Sequence, residues 1–244
     1  MPTYTYDEKF FEYTNAVSAR SADAIVPLVY EALAPNSILD LGCGCGVWLS
    51  RWMKAGATDA LGVDGDYIDP RALEVPRANF MASDLSSRID LGRKFDLAQS
   101  LEVAEHLPES RAGGFVADLC GHADVVLFGA APPGQGGENH VNEQPYDYWR
   151  AHFASQGFDA YDFVRPLVVH DDAVAPWHRY NPVLYVRDDL AASLPENIAR
   201  TRVPAHESIK DLSPAAYRAR KAIIRQLPAW ATDALANVRK RIGG

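Results

Sequence analysis

A doubly wound α/β sheet of seven strands, with a helical appendage at its C-terminal end, is the fold class that the sequence predicts. Three observations point to it. Short apolar runs alternate with amphipathic segments from residue 37 onward. A run of glycines joins the first strand directly to a helix, and acidic residues stand at or just beyond the ends of the first three strands.

The elements follow in order. A helix is expected over Ser21–Leu33, ended by Pro35 and Asn36. Ser37–Asp40 reads as a buried strand and Val47–Ala55 as a helix that stops at Gly56. Ala60–Asp64, Asn79–Met81 and Phe95–Ser100 are the next three strands. Arg111–Leu119 is a helix, Asp124–Gly129 the fifth strand, and Pro132–Asn142 a loop rich in glycine and proline. Pro145–Gln156 is a helix that begins with proline, whose missing N–H costs nothing in a first turn, and Gly157 closes it. Phe158–Phe163 and Val183–Val186 are the last strands, joined by about 20 residues, a length that points to function. Beyond Asp189 the strands stop, which divides the chain into residues 1–189 and 190–244. Ser213–Leu227 and Trp230–Arg241 read as two helices. Leu212, Ala216, Tyr217, Ile223, Ile224 and Leu227 form an apolar stripe to pack on the sheet domain or on a second copy, as in a homo-oligomer.

Composition narrows the class. With 48% apolar and 10% aromatic residues among 244, the chain can bury a sizeable core and is not a disordered one. The net charge of −8 argues against a surface built throughout to hold nucleic acid, so a small molecule is the default partner. That charge is uneven. Residues 210–244 carry +6 and the remainder −14. The three cysteines, Cys43, Cys45 and Cys120, make a poor disulfide framework, which suits a reduced, cytoplasmic protein. The first residues show neither a basic stretch nor an apolar run, and no segment nears the ~18 apolar residues of a membrane span.

The most informative stretch is Ile38–Gly46, ILDLGCGCG. Glycine at Gly42, Gly44 and Gly46 lets a backbone turn tightly and approach a ligand closely. Val47 breaks the dinucleotide fingerprint, and no Gly-Lys-Ser/Thr follows to make a phosphate loop. Asp40 would repel a pyrophosphate but suits a cationic or hydroxyl-bearing ligand. Asp64 can take a ribose diol, and Asp84 an adenine amino group. Three such acids describe a nucleoside pocket without phosphates. S-adenosylmethionine, with its ribose, adenine, sulfonium and ammonium, fits that pocket.

The segments ILDLGCGCG, GVDGD, ASDL and FDLAQSLEVAEHLP resemble, in order and spacing, the class I S-adenosylmethionine-dependent methyltransferases. The likeness spans roughly residues 20–187 and is nearest to a bacterial group marked by SLEVAEHLP and HVNEQP, here Ser100–Pro108 and His140–Pro145. It implies a Rossmann-like seven-stranded methyltransferase domain over residues 1–189. Asp40, Gly42, Gly44 and Gly46 would match the loop for the methionine moiety, and Asp64 with Gly65 the ribose end. Asp84 and Leu85 would lie beside the adenine, and Leu101 with Glu102 would skirt the sulfonium.

Methyl transfer from a sulfonium is an in-line displacement, and an alcohol acceptor must also lose a proton to a base or a metal. Helical spacing would put Glu102, Glu105 and His106 on one side of a turn, with His140 arriving from the loop after strand five. Two carboxylates and two imidazoles suit Mg²⁺ or Mn²⁺, and imidazole also admits iron or zinc. The Glu-x-x-Glu-His pattern with a later histidine resembles the metal site of small-RNA 2′-O-methyltransferases and ubiquinone-pathway O-methyltransferases. Without a metal, His106 or His140 would serve as general base, with Glu105 beside them. Glu105 and His106 also suit a plain helix cap and loop anchor.

Asn139, Asn142, Glu143 and Gln144 supply hydrogen-bonding groups, and Tyr146, Trp149, Trp177, Tyr180 and Asn181 add aromatic faces and an amide, as a sugar requires. Ordinary core packing would use the same aromatics. Arg165 suits an ion pair with Asp162 or Asp171, and Phe10, Phe11 and Tyr13 a lid over the cofactor. The expected activity is O-methylation of a sugar, glycan or glycosylated metabolite, probed by metal dependence. The rivals are N- or C-methylation of a small natural product, RNA 2′-O-methylation using the basic tail, and a non-catalytic cofactor sensor.

Overall fold

The computed structural model describes the backbone of residues 8–227, with side chains from residue 14. Phe10, Phe11, Tyr13 and the expected helix Trp230–Arg241 therefore fall outside the described side chains.

The chain opens with α1 (Glu8–Leu33), then β1 (Ser37–Leu41), α2 (Val47–Ala55), β2 (Asp59–Asp64), β3 (Phe80–Ala82) and β4 (Leu97–Leu101). Next come α3 (Ala112–His122), β5 (Val125–Gly129), α4 (Tyr146–Ser155) and β6 (Phe158–Tyr161). The long connection after β6 holds α5 (Arg165–Val168) and α6 (Pro176–Tyr180) before β7 (Val183–Arg187). Among the described residues, α7 (Glu196–Ala199) and α8 (Ala215–Ile224) follow. The strands form one sheet in the order β3-β2-β1-β4-β5-β7-β6. All pairs are parallel except those of β7, which runs antiparallel to β5 and β6. The order reverses between β1 and β4, which opens a crevice at their carboxyl ends.

β1 and β4 are buried along almost their whole length because both faces of the sheet are covered there. One layer, with Ile25, Val29, Leu49 and Trp52, packs α1 and α2 on one face. The other, with Phe115, Leu119, Trp149 and Phe153, packs α3 and α4 on the opposite face. Each fully buried aliphatic or aromatic side chain there contributes about 1.5–3 kcal/mol.

Element boundaries moved where local signals misled. α1 begins well before Ser21, because Ser21 Oγ donates back to the Val17 carbonyl (3.1 Å) instead of capping a start. The same oxygen accepts from the Ala175 amide (3.1 Å), pinning the β6–β7 connection to α1. Glu102 does not begin a helical turn. It takes φ +58°, the chain reverses there, and only Ala104–His106 form a 3₁₀ turn.

The segment after β7 is tied to the body by two arginines. Arg150 donates to the carbonyls of Val203 (2.7 Å), Pro204 (2.8 Å) and Glu207. Arg165, fully buried, pairs with Asp162 (2.7 Å) and donates to the carbonyls of Tyr180 and Lys210. The expected stripe is split: Tyr217 and Ile224 of α8 face the body, whereas Ile223 is 66% and Leu227, just beyond the helix, 38% exposed. Lys221 is buried instead, because its ammonium finds Asp211 (2.6 Å) and its backbone meets the loop of residues 132–137. None of the described helices is long and apolar enough to cross a membrane.

Candidate active site

The crevice has two ends. At the first, the β1–α2 turn carries Gly42, Gly44 and Gly46 at φ +88°, +53° and +80°. Gly42 has no room for a side chain, since a Cβ there would meet Val103 at 2.2 Å. Gly44 differs. A Cβ there would meet nothing within 4 Å, so its backbone borders open space. Asp64 closes the turn from β2: its Oδ2 accepts from the Gly44 amide (2.7 Å), and its Oδ1 from the Gly65 amide (2.7 Å) and the Tyr67 hydroxyl. Three donors nearly fill a carboxylate. Burial raises the Asp64 carboxyl above its usual range, against the lowering effect of those hydrogen bonds.

Asp40 is 2% exposed, and its Oδ2 has no hydrogen-bond partner. Burial pushes its carboxyl up to about 7; neighbouring Gln99 works against the shift and Asp64 adds to it. A buried carboxylate without a donor is costly unless a cation or donor meets it. Asp84 is of another kind. It is exposed, accepts from the Ser86 hydroxyl (2.8 Å) and amide (2.9 Å), and is held below the usual carboxylate range by those bonds. Leu85 beside it and Leu101 at the end of β4 are buried.

At the second end, three ligand atoms from Glu105, His106 and His140 lie within 4.8 Å of one another. Glu105 is fully buried, with no hydrogen-bond partner on either carboxylate oxygen. Burial, and then the charge of Glu102, push its carboxyl well above the usual range. The Val141 and Asn142 amides donate to the Glu105 carbonyl (2.9 and 3.0 Å), which brings the loop after β5 against the 3₁₀ turn.

The two imidazoles stand edge-on, with centroids 4.9 Å apart. His106 Nδ1 faces the Asn139 carbonyl (3.2 Å). A carbonyl can only accept, so Nδ1 carries the proton and Nε2 keeps its lone pair. His140 Nδ1 likewise donates to Glu143 Oε1 (2.8 Å). A Cβ on Gly137 would stand 2.0 Å from His140 Nε2, so only glycine lets that ring pack against the loop. Burial, and then His140, push His106 down to about 3, so it is neutral at ordinary pH. A buried carboxylate and two imidazoles, each held through its Nδ1, are a donor set that could hold a divalent cation.

Glu102 neighbours Glu105 but is held by other groups. Its Oε1 accepts from Asn181 Nδ2 (2.7 Å) and its Oε2 from Gln135 Nε2, while Asn181 also donates to Gln135 Oε1 (2.8 Å). Tyr146 donates to Asn181 Oδ1 (3.2 Å), and burial raises the Glu102 carboxyl against these bonds.

Sequence reasoning did not find this amide pair as Glu102's holder. Nor did it find Glu143 as the partner of His140, although Glu143 also gathers the Gly134 and Gly136 amides (2.7 Å each). The glycines flanking Gln135 were the available signal. The expected aromatic rim is largely absent: Trp149 is 2% exposed and packs on Phe128 at 5.2 Å, and Tyr146 and Tyr180 are buried too. The sheet needs those rings as core.

A family of methyltransferase domains matches residues 13–113. Among solved structures, the sugar N-methyltransferase KedS8 from Streptoalloteichus superposes with a TM-score of 0.57 at 17% identity. The match covers 77% of this chain and 97% of that one. The magnesium protoporphyrin IX methyltransferase of Synechocystis, with bound SAH, gives 0.52 at 21%, covering 76% and 90%. Residues 13–113 thus match a methyltransferase domain, and the fold is that of the class I S-adenosylmethionine-dependent methyltransferases.

The methyltransferase domain is also 37% identical over 93 residues to the ribosomal protein L11 methyltransferase of Laribacter hongkongensis. That stretch is 32% of this chain and 30% of the relative, so the chain spans less than a third of that protein's length. The family match takes in the first end of the crevice and the 3₁₀ turn. His140, Gln135, Asn181 and α8 lie beyond it.

Proposed function

We propose that the domain transfers a methyl group from S-adenosylmethionine to an oxygen nucleophile, aided by a divalent metal held by Glu105, His106 and His140 with Glu102 alongside. The acceptor is a hydroxyl of a sugar, a glycan or a glycosylated metabolite. The observation that carries this reading is the Glu105 carboxylate: buried, without a donor, and grouped with two imidazoles.

At the first end, Asp40 meets the cationic part of the cofactor and Gly44 lets its chain approach the backbone. Asp64 takes the ribose hydroxyls, which replace the Tyr67 hydroxyl on a carboxylate that has little remaining capacity. Asp84 and Leu85 lie toward the adenine, and Leu101 lies near the sulfonium.

Mg²⁺ or Mn²⁺ at the second end would act as a Lewis acid that lowers the pKa of the acceptor hydroxyl. The chain's own part is to aim both imidazoles, through the Asn139 carbonyl and the Glu143 carboxylate. An imidazole pushed down to about 3 is a poor proton acceptor, which favours His106 as a ligand over His106 as a base. Asn142 supports a hydroxyl-bearing acceptor, because its Nδ2 is buried beside Glu105 without a partner.

The test uses labelled cofactor and a pool of glycans and glycosylated metabolites. His140→Ala and Glu105→Ala should each lower transfer by about 10³-fold, while SAH affinity, measured by calorimetry, stays within about twofold. Chelator-insensitive transfer would remove the metal from this reading. Wild-type rates in both variants would overturn the assignment of these residues altogether.

A further inference from the structure

α8 lies beyond the sheet and outside the family match, yet it is seated on the active-site loop. A Cβ on Gly134 (φ +84°) would stand 2.0 Å from the Lys221 carbonyl oxygen, and one on Gly136 (φ +69°) 3.2 Å from Ile224. The loop is therefore glycine-rich partly to let this helix approach. Arg220 Nη1 donates to the Gln135 carbonyl (3.0 Å), and Tyr217 packs on Tyr180 with ring centroids 5.6 Å apart. Lys221, 6% exposed, anchors the helix to Asp211, which also takes the Ser213 amide and hydroxyl.

Those contacts fall on two particular places. Gln135 is one of the two amides that hold Glu102, and Tyr180 immediately precedes Asn181, which is the other. Tyr217, Arg220, Lys221 and Ile224, spaced three and four apart, make up the face that α8 presents to them. Glu102 needs such holders. At φ +58° its own backbone gives it no helical neighbours, and its carboxylate lies close enough to Glu105 to raise that group.

We propose that α8 is a positioning element of the active site, acting through Gln135 and Tyr180–Asn181 to fix the Glu102 carboxylate beside the Glu105–His106–His140 cluster. Arg220 is the positioning residue on the helix and Gln135 the one on the loop. The inference rests on the metal-assisted reading, and its test separates the two. Outer partners of a metal site carry about 10–100-fold in metal affinity when removed.

The experiment titrates Mn²⁺ into the full-length protein by calorimetry, with SAH binding and the melting temperature measured alongside. Gln135→Ala should weaken Mn²⁺ about tenfold, and Arg220→Ala severalfold, with SAH affinity unchanged. Arg220→Lys should recover part of the loss by keeping a donor to the Gln135 carbonyl. Gln135→Glu should weaken Mn²⁺ more than Gln135→Ala, because it sets a like charge against Glu102. A helix that only covers the fold would change the melting temperature and leave Mn²⁺ affinity alone. Wild-type Mn²⁺ affinity in Gln135→Ala and Arg220→Ala, with loss in His140→Ala, would overturn this inference and spare the metal reading. A wild-type protein that does not bind Mn²⁺ would overturn both.

Discussion

The two ends of the crevice are built in opposite ways. The first end is drawn from a nearly continuous stretch, residues 40–85, and much of it is built by backbone: three positive-φ glycines and two amides on Asp64. The other end is assembled from side chains remote in sequence, with Glu102, Gln135, Asn181 and Arg220 meeting across 118 positions. One chemistry recurs at both ends, a buried carboxylate with an unpartnered oxygen: Asp40 at the first, Glu105 at the second. Their companions differ. Each has a second acid nearby, Asp64 or Glu102, but Asp40 also neighbours an amide, Gln99, and Glu105 two imidazoles. A cofactor shared by a whole fold can be recognised by a local loop. An acceptor particular to one protein requires parts from elsewhere.

The largest expected effect breaks the first end alone. Asp64→Ala removes the acceptor of the Gly44 and Gly65 amides and of the Tyr67 hydroxyl, leaving those donors beside the ribose position. Lost charge-assisted hydrogen bonds of this kind total several kcal/mol, so SAH affinity should fall by at least about 100-fold in calorimetry. Mn²⁺ affinity should remain near that of the wild type. A parallel loss of Mn²⁺ binding would show that the ends are not independent.

A smaller effect belongs to the second end. Glu143→Gln keeps the shape of the side chain but removes the charge that orients His140. Mn²⁺ affinity should fall by about 10–100-fold, with SAH binding intact. Unchanged Mn²⁺ affinity would reduce Glu143 to a clasp for the glycine loop.

A further effect, graded by conditions and not by substitution, sharpens the comparison through pH. Burial raises Asp40 to about 7, so below that pH the ligand-free site holds a proton that a cationic cofactor must displace. Affinity should rise with pH by up to about tenfold per unit and level off above about 7. The sign for stability is the reverse. The folded, ligand-free chain binds this proton more tightly than the unfolded one, so the contribution of Asp40 to stability declines as pH climbs from 3.8 to about 7. Asp40→Asn should flatten both dependences. A wild-type affinity that is flat from pH 5 to 8 would place the carboxylate away from the cofactor's charge.

Much of this was legible beforehand. The seven strands and their sequence, the glycine turn, Asp40 and Asp64 all follow from short-range pattern, because apolar runs and tight turns are local features. The Glu105–His106–His140 grouping was legible as residue types, but its geometry was not. The expected helical turn from Glu102 fails because the chain reverses at that residue, which sends its carboxylate toward Asn181 and Gln135. Trp149 shows the opposite limit: an aromatic in a polar neighbourhood reads as a rim, yet the α4 face of the sheet buries it.

The basic tail gains a physical meaning in part. Arg220 and Lys221 are engaged by the Gln135 carbonyl and Asp211, and Arg218 donates to the Ser213 carbonyl. The described part of the tail thus makes contacts within its own chain. By itself, the amino-acid sequence determined the fold class and the cofactor turn, since both depend on residues within a few positions of one another. Only the tertiary structure decided which donors hold Glu102, which partner aims His140, and that α8 reaches the site. Those contacts join segments that share no periodicity, and nothing in local pattern encodes how far apart along a chain two side chains can be when they meet.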